Sequence, residues 1–236
     1  EPEPSNELAY VIFTSGSTGV PKGVMITTEA LTHYVETMVS EMGIRSNDRL
    51  SQHPNVGFDL SVLDIYGGLC SGATLYPVQN SLDRMNLSKF IARYKLTIWN
   101  SVPSVVDVMF RSKSISRENF RSIRLFTFCG EPLLKRHLDV IFDICPRVKV
   151  HNTYGPTEAT VSCTLLRLSK TSYLSACDRH SVALGDPISE MNIYLDCDGN
   201  SSEEGEIVIT GPQLAKGYWK DNIKSASSFK EFEVNG

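Results

Sequence analysis

The sequence predicts an α/β fold, a mainly parallel sheet flanked by helices and followed by a small distorted β-subdomain. Short apolar, β-branched runs at residues 10–13, 97–100, 125–128 and 148–150 alternate with stretches of helical periodicity, the pattern of a parallel sheet covered on both faces. Past Thr164 the character shifts to β: residues 192–195 and 206–209 are strand-like and are separated by an Asp198-Gly199 turn signal. A length of 236 residues at 41% hydrophobic content is enough to bury a real core.

The first run, Tyr10-Val11-Ile12-Phe13, reads as a buried strand that breaks into Thr14-Ser15-Gly16-Ser17-Thr18-Gly19. This loop has no apolar side chain and two glycines, which permit the backbone to fold its N–H groups round an anion. Pro21 stiffens the exit and Lys22 adds a mobile positive charge, so the stretch reads as a phosphate loop; the competing reading is a Ser/Gly surface turn. Its spacing does not fit the Walker pattern.

Leu31, Tyr34, Val35, Met38, Val39 and Met42 then recur at helical spacing, with Thr27 or Thr28 to start the helix and Gly43 to stop it. In residues 53–61, Asp59 or Ser61 is placed as an N-cap to the apolar stretch that runs through Leu69. Residues 87–94 form a short helix. The strand at 97–100 leads to Ser101-Val102-Pro103-Ser104, which opens another helix with proline near its first turn. The strand at 125–128 ends at Cys129-Gly130-Glu131-Pro132, and the next helix carries His137 as a surface or flank residue. The strand at 148–150 ends at Asn152, and residues 159–164 are predicted as a further strand. In parallel sheets ligands gather at the carboxyl ends of strands. The segments beginning at Thr14, Asp59, Cys129 and Asn152 all follow predicted strands.

The bulk numbers exclude several classes. A formal net charge of −4 offers no basic surplus for nucleic acid and no polybasic tail for membranes. No apolar run approaches the roughly 18 residues of a membrane span. Six scattered cysteines without C-x-x-C pairs argue against zinc and against a disulfide framework, and fit a reducing, cytoplasmic setting. Residues 1–8 read as a linker or cut edge, 9–165 as the α/β binding subdomain, and 166–236 as a β-rich subdomain.

The run Thr14-Ser15-Gly16-Ser17-Thr18-Gly19-Val20-Pro21-Lys22-Gly23 resembles the signature loop of the adenylate-forming enzymes, and Asn152-Thr153-Tyr154-Gly155-Pro156-Thr157-Glu158 resembles that family's second nucleotide motif. The resemblance extends from Leu8 to Tyr218 and implies the large N-terminal part of the family's fold. It implies ATP and Mg²⁺ as cofactors. By resemblance, Thr14, Lys22, Thr157 and Glu158 are catalytic. Ser15, Gly16, Ser17, Thr18, Gly19, Gly130, Glu131, Asn152, Thr153, Gly155 and Pro156 line the nucleotide side. Tyr154 packs against adenine, Thr157 bonds the α-phosphate and Glu158 ligates the metal. Phe58-Asp59-Leu60-Ser61-Val62 is similar to the amino-acid-activating members, in which the aspartate holds the substrate ammonium. Leu63, Asn100, Cys129, Val161 and Ser162 would complete a substrate pocket. Cys129 points to the branch that loads D-alanine on a carrier protein's phosphopantetheine thiol; a small core residue is the other reading of this cysteine. Glycine, serine, proline and L-alanine stay open as substrates of a nonribosomal peptide synthetase domain, and a non-catalytic nucleotide-binding remnant is the non-enzyme alternative. Family members also carry a mobile C-terminal subdomain, which is expected to be absent from these 236 residues. Lys216-Gly217-Tyr218 is expected to position the nucleotide side of the cleft.

Overall fold

The structure is a computed structural model describing residues 7–15, 20–111, 115–197, 200–201 and 204–230; Gly16, Ser17, Thr18, Gly19 and the Asp198-Gly199 turn lie outside the described residues. The chain opens with β1 (Leu8–Thr14), β2 (Lys22–Thr27), α1 (Thr28–Met42) and β3 (Arg49–Gln52). A π turn (Leu63–Gly67) runs into α2 (Gly68–Cys70), followed by β4 (Thr74–Pro77), α3 (Ser81–Met85), α4 (Leu87–Tyr94), β5 (Ile98–Ser101) and α5 (Ser104–Arg111). Next come β6 (Leu125–Phe128), α6 (Lys135–Ile144), β7 (Lys149–Tyr154) and β8 (Thr164–Leu168). Short strands β9 (Cys177–Asp178), β10 (Ser181–Val182) and β11 (Asp186–Pro187) precede β12 (Asn192–Cys197), β13 (Asn200–Ser201), β14 (Glu206–Thr210), β15 (Gly217–Tyr218) and α7 (Asn222–Ser228).

The central sheet has seven strands in the order β11-β8-β7-β6-β5-β3-β4. From β4 to β7 neighbours are parallel; β8 and β11 close one edge antiparallel. Both faces are covered, as the near-continuous apolar strands predict. Successive residues of β5 and β6 serve opposite cores: Ile98 and Leu125 pack with α1, while Trp99 and Phe126 pack with α4, α5 and α6. Helix α1 follows its periodicity, with Thr27 Oγ1 accepting from Ala30 N at its start and Gly43 at φ 55° at its end. From β3 the chain goes to β4 on one side and to β5 on the other. Open α/β sheets bind ligands at the carboxyl ends of the strands flanking such a reversal, here β3 and β5.

Three sequence expectations are corrected. Strand β1 is neither buried nor part of the central sheet: it pairs antiparallel with β2, which pairs in turn with β15, and Phe13 is 63% exposed. A two-sided hairpin has one face in water, so its apolar content overstates its burial. Residues 159–164 do not form a strand. Thr157–Ala159 is a 3₁₀ turn, Thr160 and Val161 sit at φ 52° and 71°, and pairing begins only at Thr164. His137 is buried, because its Nδ1 accepts from Leu134 N (3.2 Å) and its Nε2 lies 3.2 Å from Asp107 Oδ2.

Two other histidines carry a pH signature. Burial holds His53 and His151 at about 4, with Arg84 adding to the effect at His53 and Lys149 and Arg124 at His151. Unfolded, each binds a proton near 6.5. Above that pH both states are neutral and no stability depends on them. As pH falls toward 4 the unfolded chain takes up protons that the folded chain refuses, so stability drops by on the order of 3 kcal/mol per histidine. Thermal unfolding midpoints measured from pH 7 to pH 4 should fall along this window, and the fall should be shallower in a His53→Gln, His151→Gln variant.

Candidate active site

Several sequence-predicted residues stand at the carboxyl ends of the parallel strands: Asn100 near the end of β5, Cys129 and Gly130 just after β6, and Pro156, Thr157 and Glu158 after β7. Asp59 lies in the loop after β3, half-buried, with the Thr157 hydroxyl and the Leu60 N–H facing its carboxylate. Burial pushes its pKa up; the hydrogen bonds from Thr157 and the backbone work against this, and Glu158 adds to the rise. Asn100, at the end of β5, ties this loop down by donating from Nδ2 to Leu60 O (3.0 Å). The π turn after the loop has no side-chain cap, so nothing shows Asp59 or Ser61 closing a helix N-terminus; Ser61 Oγ donates instead to Phe58 O at 2.8 Å.

Around Asp59 stand groups that sequence reading did not single out. Tyr10 and Tyr34 both sense its charge, and burial raises the pKa of each. The Tyr10 hydroxyl is buried without a partner among the described residues. Tyr10 reads in sequence as one more residue of an apolar strand, which hides its hydroxyl.

The expected pocket walls divide. Cys129 and Val161 meet, with Cys129 Sγ 3.6 Å from Val161 O, and burial raises the thiol to about 11, so it stands as a neutral thiol. Ser162 is fully buried, and its hydroxyl faces that of Tyr34. Leu63 belongs to the core cluster that includes α1, Val161 and Cys163.

At the end expected to face the nucleotide, Lys22 at the start of β2 meets Glu158 and Tyr218. Lys22 Nζ is 2.7 Å from Glu158 Oε1 and 2.9 Å from the Tyr218 hydroxyl, which itself donates to Glu158 Oε1 at 2.7 Å. Burial works to lower the Lys22 pKa and to raise that of Glu158. The hydrogen bonds within the cluster outweigh it in both cases, leaving Lys22 above and Glu158 below their ordinary values. Tyr218 thus does more than the expected positioning by Lys216-Gly217-Tyr218: its hydroxyl touches both charged groups.

The remaining motif residues mostly hold the site's shape. Gly155 is required by close approach, since a Cβ there would lie 2.5 Å from the Ser162 Cα. Gly130 follows β6 at φ 86°, a left-handed backbone that glycine adopts without strain. Asn152 donates to Ala183 O (2.8 Å) and Thr153 to Phe128 O (3.0 Å). The Glu131 carboxylate accepts from both N and Oγ of Ser104, both at 3.0 Å, and so caps α5. Tyr154, Pro156 and Thr157 are half-buried, Ser15 is exposed, and Thr14 Oγ1 is buried without a partner among the described residues.

That orphaned hydroxyl beside Lys22 suits a phosphate oxygen. Among the described residues no group of three or more His, Cys, Asp or Glu side chains could hold a metal ion. Glu158 instead offers a single hard carboxylate, and Mg²⁺ is commonly bound by one or two carboxylates with the rest of its shell from phosphates and water. The residues therefore fit Mg·ATP. A cavity of about 610 Å³ opens on Pro156, Glu158 and Tyr218, between them and β14. No helix among the described residues is long and apolar enough to cross a membrane.

The chain is similar to known proteins along most of its length. The family model described as AMP-binding enzyme matches residues 1–219. A D-alanine--D-alanyl carrier protein ligase of Lactiplantibacillus plantarum is 33% identical over 233 residues, covering 96% of this chain and 45% of that protein. A ligase of the same description from Listeria monocytogenes is 32% identical over 229 residues, covering 95% and 45%. Among solved structures, the Vibrio cholerae adenylation domain AlmE in complex with glycyl-adenosine-5'-phosphate superposes with a TM-score of 0.87 at 32% identity, covering 98% of this chain and 44% of that one. The chain thus spans a little under half the length of these relatives. Its mixed α/β architecture is that of their adenylate-forming N-terminal domains. By the family match and these identities, the chain belongs to the AMP-binding enzyme family.

Proposed function

We propose that this chain forms the nucleotide- and substrate-binding part of an enzyme that activates a small amino acid, D-alanine foremost, as its adenylate for loading on a carrier-protein thiol. The observation that carries the reading is Asp59. Its carboxylate is half-buried and forms no ion pair with any described residue, an arrangement that is costly until an ammonium arrives. An α-amino acid supplies that ammonium, and a fatty or aryl acid does not. The named relatives act on D-alanine or hold a glycyl adenylate, which supports a small side chain.

In this mechanism the substrate carboxylate attacks the α-phosphorus of ATP, forming the acyl–phosphate bond as pyrophosphate leaves with the electron pair of the broken P–O bond. Asp59 anchors the ammonium, and Thr157, whose hydroxyl faces Asp59, would bond the α-phosphate next to it. Tyr154 stacks on adenine. Lys22 and the Thr14 hydroxyl take the outer phosphates. A Mg²⁺ ion held by Glu158, when bound, neutralises phosphate charge. The protein does little covalent work, and positioning with charge neutralisation carries the rate. Transfer to a phosphopantetheinyl carrier protein in the cytoplasm, with a C-terminal subdomain, would complete the cycle.

The test is ATP–pyrophosphate exchange with both enantiomers of alanine and serine, glycine, L-valine and propionate. D-alanine should exchange best and propionate poorly. Close packing of Cys129 against Val161 should make valine a poor substrate. Cys129→Ala should improve valine relative to D-alanine by about tenfold or more, the worth of one or two carbon atoms in a pocket. A parent that prefers valine removes the D-alanine assignment. One that uses propionate as well as alanine removes the amino-acid reading altogether.

A further inference from the structure

Thr160 and Val161 hold φ 52° and 71°, a left-handed conformation that β-branched side chains disfavour. Two such residues in a row persist only where their surroundings over-determine them. The turn's own bonds, Ser162 N to Thr160 O (2.9 Å) and Cys163 N to Tyr154 O (2.7 Å), shape it locally. The rest comes from a segment some fifty residues on. Thr160 Oγ1 donates to Gln213 O at 2.7 Å, and Gln213 Nε2 donates to Ser162 O at 3.4 Å. Two residues later Ala215 N donates to Glu158 O at 2.8 Å. Residues 213–215 thus bracket the turn from its metal-binding end to the expected substrate wall.

The geometry points to Gln213 as a positioning residue that fixes the far wall of the substrate pocket, Val161 and Ser162, and through it the size of amino acid accepted. This rests on the adenylation reading for its substrate, but not for its structural claim. Gln213 is 0% exposed, a rare state for a glutamine. Its Oε1 has no partner among the described residues. A side chain kept only to fill space would not bury an unmatched acceptor, because an apolar residue of that volume fills it at no such cost. The amide is therefore retained for the carbonyl it holds. Cys129 Sγ, at 3.6 Å from Val161 O, reports on whether the wall stays in place.

The experiment compares Gln213→Met, Thr160→Val and Thr160→Ser in the full-length protein. Gln213→Met keeps length and loses the amide; Thr160→Val keeps shape and loses the hydroxyl; Thr160→Ser keeps the hydroxyl. Amino-acid KM, ATP KM, the alanine-to-valine exchange ratio and the rate of Cys129 alkylation are measured. Gln213→Met and Thr160→Val should each raise amino-acid KM, shrink the exchange ratio and speed alkylation, all by about tenfold, the loss of one buried hydrogen bond. ATP KM should stay within about twofold, because Glu158 keeps Ala215, Lys22 and Tyr218. Thr160→Ser should match the parent. Unchanged ratio and alkylation in both disruptive variants, or a loss confined to kcat, overturns the proposal. Should Gln213→Met fail to fold, Gln213→Asn, whose amide is one methylene short of the Ser162 carbonyl, takes its place and should show the same loss. A parent that exchanges with no amino acid sinks the adenylation reading, while the alkylation rates still decide whether Gln213 holds the wall.

Discussion

Asp59→Asn is expected to lose most amino-acid-dependent ATP–pyrophosphate exchange while remaining folded. Removing one partner of a desolvated ion pair leaves the other without compensation, at roughly 3–5 kcal/mol, or a factor of a few hundred to a few thousand in the exchange rate per substrate. Asparagine is isosteric and keeps the contact with the Thr157 hydroxyl, so the backbone loop held by Asn100 should not move. Free folding stability should rise slightly or stay level, since burial opposes the charge that the substitution removes. The measurement pairs exchange kinetics with thermal unfolding. A variant with parental amino-acid KM would show that the ammonium lies elsewhere.

Glu158→Gln is expected to cost about 10²- to 10³-fold in kcat, the usual consequence of removing one preorganised electrostatic group from a site where charge develops. The defect should be relieved in part by raising Mg²⁺, because a neutral amide weakens metal binding without altering shape. Lys22 supplies a second signature. With Glu158 neutral it keeps the Tyr218 hydroxyl but loses its charged partner, so its pKa should fall from its raised value toward the value that burial favours. Isothermal titration of Mg·ATP across a range of metal concentrations, run beside the kinetics, separates weakened metal binding from a collapsed site. Parental kinetics in a folded Glu158→Gln protein would exclude the metal role.

The legible parts of the molecule are those in which local pattern and environment agree. Helix α1, with its thread of apolar residues between Thr27 and Gly43, and β6, whose bounds the apolar run marks residue for residue, were readable because each contacts only what its own periodicity implies. Strand β2 was not, because Lys22-Gly23 looks like the exit of a loop and its partner β15 lies near the other end of the chain. Residues 159–164 misled for the opposite reason. A run containing Thr160 and Val161 favours a strand, but the bond that Thr160 donates to Gln213 O and those that Gln213 Nε2 and Ala215 N donate into the turn override that propensity. The functional residues show the same division. Lys22 and Glu158 could be named from their motifs, but their 2.7 Å contact could not, and the Tyr218 hydroxyl was invisible until the fold brought it to them. Asp59 was readable as a helix cap from its residues and as a substrate ligand only through resemblance.

The placement of β2 between β1 and β15 has a kinetic consequence. Lys22 and Tyr218, 196 positions apart, touch only because the edge of this small sheet is completed by the last described strand. Contacts of such separation are closed late, since the entropy of bringing distant chain segments together must be met before the contact rewards it. During synthesis the central parallel sheet can form as soon as β7 has emerged, whereas Lys22 and Glu158 must wait for Tyr218. A nascent chain would therefore carry a finished scaffold before it carries a finished charge cluster, and nucleotide would find no complete site on a partly made protein.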